Sequence, residues 1–301
     1  MKPDTRTGIY LALSTALISG LSVYLNKFAV AVVPDVLLLT TLKNTLVGLA
    51  LLAAFIPLAA RSRHGVHRRN VVPLAALAVI GGSVPFLLFF RGLAAASAPS
   101  AALIHKSLFL WVALFAAPLL GESLGGWTVL GLGLLAGGQL LAGWPKAWGW
   151  GGGETLVLIA TLLWAVETII ARRLLPNIPT LLAATARMAG GAALMWAFLF
   201  TTGAAGGLLT LTAGQWGWVG LTSIFLVGYV TTWYAALKFA PAAVVSGVLT
   251  LGALITAGLA LGVEGQPAAP QPALGLGLIA LGAGLLVARQ LRRRQRVVVR
   301  A

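Results

Sequence analysis

The chain has 301 residues, of which 59% are hydrophobic and only 9% are charged. A soluble domain is about 25% charged, so this composition excludes an ordinary soluble protein, which would have to expose large apolar patches. The net charge of +15 could indicate nucleic-acid binding. However, the basic residues stand between long apolar runs and in one tail, so we expect no nucleic-acid partner. The absence of cysteine also excludes disulfides, thiolate metal sites and a cysteine nucleophile.

Ten apolar stretches follow one another, each near the length of about 20 residues that a helix needs to cross a bilayer. In the first half they are Gly8–Val32, Asp35–Leu58, Val71–Ala95, Ala98–Leu120 and Trp127–Gly143. In the second half they are Gly152–Leu175, Thr180–Phe200, Trp216–Leu237, Pro241–Val263 and Pro272–Ala288. The stretches lack the alternating pattern of a membrane β-barrel. We therefore predict an all-α integral membrane protein with ten transmembrane helices.

The positions of lysine and arginine predict the orientation, because cytoplasmic loops are enriched in both. With the N-terminus inside, most of the 21 basic residues fall on the cytoplasmic side: Lys2, Arg6, Arg61, Arg63, Arg68, Arg69, Arg172, Arg173, Lys238, Arg289, Arg292, Arg293, Arg294, Arg296 and Arg300. Lys146 falls outside, and Lys27, Lys43, Arg91, Lys106 and Arg187 fall within the spans. We expect both termini to be cytoplasmic and the protein to lie in the plasma (inner) membrane.

The two halves resemble each other at an offset of about 144 residues. The sequence Gly-Leu-Gly-Leu-Leu-Ala at 131–136 recurs as Gly-Leu-Gly-Leu-Ile-Ala at 275–280, and Lys43 matches Arg187. Shared leucine and glycine content is the alternative explanation. Because each half has five spans, an odd number, a true repeat would be inverted, as in many secondary transporters. We predict repeats at 1–143 and 144–288, followed by a basic cytoplasmic tail at 289–301.

Two ordered sets of motifs carry a family resemblance. Ala-Ser-Ala-Pro-Ser-Ala-Ala-Leu-Ile at 96–104 leads to Ala-Pro-Leu-Leu-Gly-Glu-Ser-Leu at 117–124, and Ala-Pro-Ala-Ala-Val-Val at 240–245 leads to Glu264. Over essentially the whole chain the sequence resembles the drug/metabolite transporter superfamily, of the EamA type. The resemblance implies a cytoplasmic-membrane carrier of small metabolites, commonly an exporter, and it does not name the solute.

Ionisable residues within membrane spans indicate a functional site, since they are costly unless they are paired or hydrated. At about 1.5 Å per residue, Lys43 and Lys106 both lie roughly 12 Å below the outer face. No acidic residue of the first half lies at that depth. The two cations predict a subsite for an anion or carboxylate, to which Asn26, Asn44 and His105 would add neutral hydrogen bonds. Snorkelling along lipid is the alternative.

Glu167 and Arg187 lie at matching depths near the cytoplasmic face, on helices joined by a short turn. They predict either a structural ion pair or a proton-coupling carboxylate whose pairing changes between states. Trp164 and Trp233 would stack on the substrate if they line a central cavity. The spacing Gly133-Leu-Leu-Ala-Gly137 predicts a close helix contact.

We therefore expect an alternating-access carrier that exports small carboxylate-bearing metabolites such as amino acids, with Lys43, Lys106 and Arg187 attracting the anion. Its partners would be that metabolite, the lipid bilayer and either a proton or an exchanged counter-substrate. Two alternatives stay open: a membrane-embedded enzyme, which would need clustered His, Asp or Ser, and a scaffold that transports nothing. No enzymatic activity, cofactor or metal is expected.

Overall fold

The computed structural model describes residues 5–33, 35–62, 68–143, 149–265 and 269–298. Within these ranges the chain forms ten long helices that are apolar enough to span a membrane, and no strand. They are α1 Thr5–Val32, α2 Val36–Ser62, α3 Arg68–Ala95, α4 Ala98–Leu120, α5 Gly126–Gly143, α6 Gly152–Leu174, α7 Thr180–Thr201, α8 Ala213–Phe239, α9 Ala242–Glu264 and α10 Pro270–Val298. The predicted fold class is confirmed.

Four of these helices are interrupted near their centres. A π-helical turn replaces regular helix at Leu77–Gly81 in α3 and at Ala186–Gly190 in α7. Helix α4 divides into α4a, Ala98–Lys106, and α4b, Leu108–Leu120; α9 divides into α9a, Ala242–Leu249, and α9b, Gly252–Glu264. Such breaks are frequent at functional sites because they re-aim side chains and free backbone groups.

The inverted relation between the repeats is clearest where α5 crosses α10. A side chain on Gly138 would stand 2.6 Å from the carbonyl oxygen of Gly275, and one on Gly282 would stand 2.7 Å from that of Gly131. Gly131 and Gly275 are equivalent in the repeat, as are Gly138 and Gly282. The contact of Gly138 with Gly275 is therefore repeated by the contact of Gly282 with Gly131, as a two-fold axis requires.

The predicted contact through Gly133 and Gly137 is wrong. Nothing lies within 4 Å of a side chain placed on Gly133, and only Leu278 approaches one on Gly137, at 3.9 Å. The contact runs through Gly131 and Gly138, two turns apart on another face of α5. A spacing of four residues shows that two glycines share a face, but it does not show which face meets the neighbouring helix.

Sequential helices run in opposite directions, so α1 begins and α10 ends at the same end of the bundle. We call this end the terminal side and the other end the opposite side. The largest buried cluster lies between them and includes residues from all ten helices. Lys2, Arg63, Lys146 and Arg300 lie outside the described residues, as do the side chains of Arg61, Arg293, Arg294 and Arg296.

Candidate functional site

A cavity of about 370 Å³ lies at the centre of the bundle, between the two repeats. Helices α1 to α4 contribute from the first repeat and α6 to α9 from the second. The cavity is lined by Ser19, Ser22, Val23, Asn26, Lys43, Asn44, Phe86, His105, Leu108, Trp164, Glu167, Thr168, Arg187, Met188, Leu226, Tyr229, Val230, Trp233 and Leu249. Its volume suits a small metabolite rather than a macromolecule.

Lys43 is held towards the opposite side of the cavity by a polar relay from α1. Its Nζ donates to Asn26 Oδ1 over 2.6 Å, and Asn26 Nδ2 donates to the carbonyl oxygen of Ser22 over 2.7 Å. This second bond fixes the amide orientation, so an oxygen faces the ammonium group. Lys43 has no acidic partner within 4.0 Å in the part of the chain that the structure describes. Its charge is therefore available to an anion.

Arg187 and Glu167 form a second charged group nearer the terminal side. Both are buried, with 9% and 2% of their surfaces exposed. They lie on either side of Gly81, since a side chain there would stand 2.5 Å from Glu167 Cγ and 3.3 Å from Arg187 Nε. The Tyr234 hydroxyl donates to Glu167 Oε1. Only a glycine leaves room for both charged side chains at this break in α3.

The break in α3 also positions Trp164. Pro85 has no N–H, so the carbonyl oxygen of Gly81, four residues earlier, lacks its usual helical donor. The Trp164 indole supplies that donor over 3.1 Å. The ring then packs edge-on against Phe86 and His105, with centroids 5.1 and 5.0 Å apart. The π-helical turn and the proline thus fix one aromatic wall of the cavity.

A second aromatic wall comes from α8. The rings of Tyr229 and Trp233 are nearly parallel, 7° apart, with centroids separated by 6.2 Å. They are four residues apart and therefore share one helix face. The cavity thus combines flat apolar surfaces with a few charged groups, which suits a ligand that is partly apolar and partly ionic.

Three buried polar atoms on residues that line the cavity have no hydrogen-bond partner: Asn44 Oδ1, His105 Nδ1 and Arg187 Nε. Buried polar groups are nearly always satisfied, since an unmet one costs about 1–3 kcal/mol. Residues of both repeats therefore present unsatisfied hydrogen-bonding atoms at the cavity. A polar ligand would satisfy them.

The structure brings seven of the eight predicted binding residues to this cavity, together with Glu167. The exception is Lys106, whose side chain is exposed and is not among the lining residues. Neighbouring positions on a helix point about 100° apart, so with His105 facing the cavity Lys106 points away. The expectation that Lys43 and Lys106 form one subsite does not match this arrangement.

The predicted direct ion pair between Glu167 and Arg187 is also not formed. Among the described residues only Lys27–Glu264 and Arg172–Glu122 come within 4.0 Å as ion pairs. Sequence reasoning missed Tyr234, which binds Glu167 instead, because a tyrosine in an apolar run gives no sign of its partner. Met188, beside Arg187, could have been found from the repeat, since it is the counterpart of Asn44.

Charged side chains join helices at both ends of the bundle, in two different arrangements. On the terminal side, Glu122 follows α4b and accepts from the backbone N–H groups of Ala242 and Ala243 over 2.7 and 3.2 Å. Arg172 lies 3.8 Å from the same carboxylate and donates to the carbonyl oxygen of Leu237 over 2.7 Å. The junction therefore ties α4, α6, α8 and α9 together across both repeats.

On the opposite side, Lys27 of α1 binds Glu264 of α9b over 2.6 Å. This pair joins α1 to α9. No group of three or more His, Cys, Asp or Glu residues suited to a metal ion occurs in the described part of the chain.

A family model for EamA-like transporters matches residues 6–144 and again residues 151–288. The chain belongs to the EamA-like transporter family. Members of this family are membrane transporters, so this EamA-like protein is a multi-pass membrane transporter of the drug/metabolite transporter superfamily. The cavity between its repeats is the natural place for a solute.

Among solved structures, one crystal structure is similar to this EamA-like transporter at 20% sequence identity, with a TM-score of 0.73. The match covers 95% of this chain and 99% of the other. At this identity it supports the fold and no more. No curated protein sequence matches the chain.

Proposed function

We propose that this EamA-like transporter carries small carboxylate-bearing metabolites, such as amino acids, through the central cavity by alternating access. The observation that carries the proposal is the charge inside the cavity. Lys43 and Arg187 are two cations against the single carboxylate of Glu167. A solute with one carboxylate would offset the excess, and an amino acid could also offer its ammonium group to Glu167.

The unpartnered atoms support the same class of solute. A carboxylate oxygen would accept from Arg187 Nε, and an ammonium group would donate to Asn44 Oδ1. The aromatic walls of Trp164 and Trp233 would cover an apolar side chain. Lys106 is left out of the proposed site because it points away from the cavity.

We also propose a membrane, an orientation and a direction of transport for this protein. We place it in the plasma (inner) membrane with the terminal side cytoplasmic, because the basic residues gather there. Transport would run outward and would be driven by a proton or by exchange, with Glu167 as the coupling carboxylate. The repeats would divide at residues 143 and 144, and residues 289–301 would form a cytoplasmic tail.

Counterflow in proteoliposomes tests the solute class. Vesicles loaded with each unlabelled L-amino acid in turn should accumulate the same amino acid, radiolabelled, for at least one member of the set. Lys43→Gln should reduce that accumulation at least tenfold, whereas Lys106→Gln, the matched control on the exposed lysine, should not. No accumulation of any amino acid or simple carboxylate would contradict the proposal.

A further inference from the structure

The two charged junctions are equivalent in the inverted repeat. Lys27 lies on α1 and Arg172 on α6, the first helix of each repeat. Glu122 ends α4 and Glu264 ends α9, the fourth helix of each repeat. In both junctions a cation on the first helix of one repeat faces a glutamate on the fourth helix of the other. The same pairing of a cation with a glutamate therefore occurs at both ends of the bundle.

The two copies are in different positions. Glu122 lies 3.8 Å from Arg172, and its carboxylate accepts hydrogen bonds from two N–H groups in the first turn of α9a. Glu264 lies 2.6 Å from Lys27 instead. A carboxylate at a helix N-terminus is stabilised by the exposed N–H groups and by the helix dipole, so both positions are favourable for a glutamate.

The packing of the helix halves also differs between the two ends of the bundle. On the terminal side, where the glutamate caps the partner helix, α4b packs along α9a. On the opposite side, the equivalent halves α4a and α9b, both fully described, do not pack in this way. The fourth helices of the two repeats are therefore in contact at the end where the carboxylate caps the helix and apart at the end where it binds the cation.

We propose that Glu122 and Glu264 are alternating latches. Each glutamate exchanges between two positions in the other repeat: beside a cation on its first helix, and at the N-terminus of its fourth helix. In the other transport state Glu264 leaves Lys27 and caps α4a, while Glu122 releases the N–H groups of α9a and keeps Arg172 as its partner. This inference rests on alternating access and does not depend on which solute is carried.

The two latches differ in strength. Helix α9a begins after Pro241 without a side-chain cap of its own, so Glu122 supplies one and takes two N–H groups. Helix α4a has its own cap, since Ser97 Oγ accepts from the N–H of Ser100 over 3.2 Å, and Pro99 has no N–H. Only the first-turn N–H of Ala98 is left for Glu264. The terminal-side latch is therefore the stronger, in agreement with the state in the structure.

Thiol labelling of purified protein in detergent tests the latches, because the chain has no cysteine of its own. Ser246→Cys places a thiol in α9a, where Ser246 is buried, and reports opening of the terminal side. Val23→Cys places one on the cavity wall of α1 and reports opening of the opposite side. The rate of reaction with a water-soluble maleimide is measured for each, without any solute.

Glu122→Gln should raise the labelling rate of Ser246→Cys about tenfold or more and lower that of Val23→Cys, since it removes a charge-assisted cap. Adding Glu264→Gln should reverse the change, because the other state then loses its own latch. Asp35→Asn is the matched control: Asp35 caps its own helix through Leu38 N–H over 2.9 Å, and the exchange should leave both rates unchanged.

A second variant keeps the test sharp if Glu122→Gln does not fold. Lys27→Gln removes the exposed cation that binds Glu264 in this state, so it should raise labelling of Ser246→Cys at the far end of the bundle. An ordinary surface ion pair would leave that distant thiol unchanged. The proposal is overturned if Lys27→Gln leaves it unchanged, or if Glu122→Gln with Glu264→Gln labels as fast as Glu122→Gln alone. Absence of amino-acid transport would not affect either result.

Discussion

The indole N–H of Trp164, in the second repeat, donates to the carbonyl oxygen of Gly81, in the first, over 3.1 Å. The bond exists because Pro85 cannot donate to that carbonyl, so a break in one repeat becomes an attachment point for the other. Glu167 and Arg187 lie around the same glycine. The geometry of the cavity therefore depends on this short segment of α3.

Trp164→Phe should lower the free energy of unfolding by about 1–3 kcal/mol, because the buried hydrogen bond to Gly81 is lost and the smaller phenyl ring fills the site less well. The unmet carbonyl of Gly81 adds to the cost. The measurement is thermal unfolding of the purified protein in detergent, with Trp216→Phe, an exposed tryptophan of α8, as the control. Equal melting temperatures for the two variants would show that the bond to Gly81 contributes nothing.

Gly81→Ala should reduce transport strongly, since the added methyl group would displace the Glu167 side chain. We expect a loss of stability of about 1–3 kcal/mol, as for other overpacked sites. Gly220→Ala in α8, where nothing lies within 4 Å, is the control and should be neutral or stabilising. Counterflow and thermal unfolding measure the two effects. Wild-type transport by Gly81→Ala would mean that the Glu167 position is unimportant.

The glycine contact between α5 and α10 gives a paired prediction. Gly138→Leu should destabilise the bundle by several kcal/mol, because backbone of α10 occupies the space. Gly133→Leu, on a face with nothing nearby, should have little effect. This prediction is tested by measuring the unfolding temperatures of the two variants in the same detergent. A larger loss from Gly133→Leu would contradict the observed helix crossing.

Glu167→Gln separates the coupling role from a structural one. The amide oxygen can still accept from Tyr234, so the fold should persist. We expect uptake driven by a proton gradient to fall at least tenfold while exchange of labelled for unlabelled solute continues, because exchange needs no net proton movement. If gradient-driven uptake survives in this variant, Glu167 is only a structural group.

The ten helices could be predicted because each apolar run is long enough to cross a bilayer and is ended by charged residues, glycine or proline. The sequence also placed Lys43 and Arg187 within the spans, and both side chains line the central cavity. The direction in which each side chain points around its helix axis could not be predicted. Lys106 and Gly133 were each at a suitable depth but point away from the contacts assigned to them, because small shifts in helix rotation decide which neighbour faces inward.

Long-range partners were the other feature beyond prediction. The contact of Glu122 with the start of α9a joins residues far apart in the chain, and it exists because Pro241 leaves that helix uncapped. The repeat indicated that Glu122 and Glu264 correspond. It could not indicate that the two would occupy different positions, since that difference belongs to the conformational state.

The most direct test of the account is equilibrium binding to the cavity. Purified protein is screened by thermal shift against the L-amino acids and simple carboxylates, and the Kd of the strongest binder is measured for the wild type, Lys43→Gln and Lys106→Gln. The account predicts a Kd at least tenfold weaker for Lys43→Gln and unchanged for Lys106→Gln. Equal affinity in all three proteins, or a loss confined to Lys106→Gln, would contradict it.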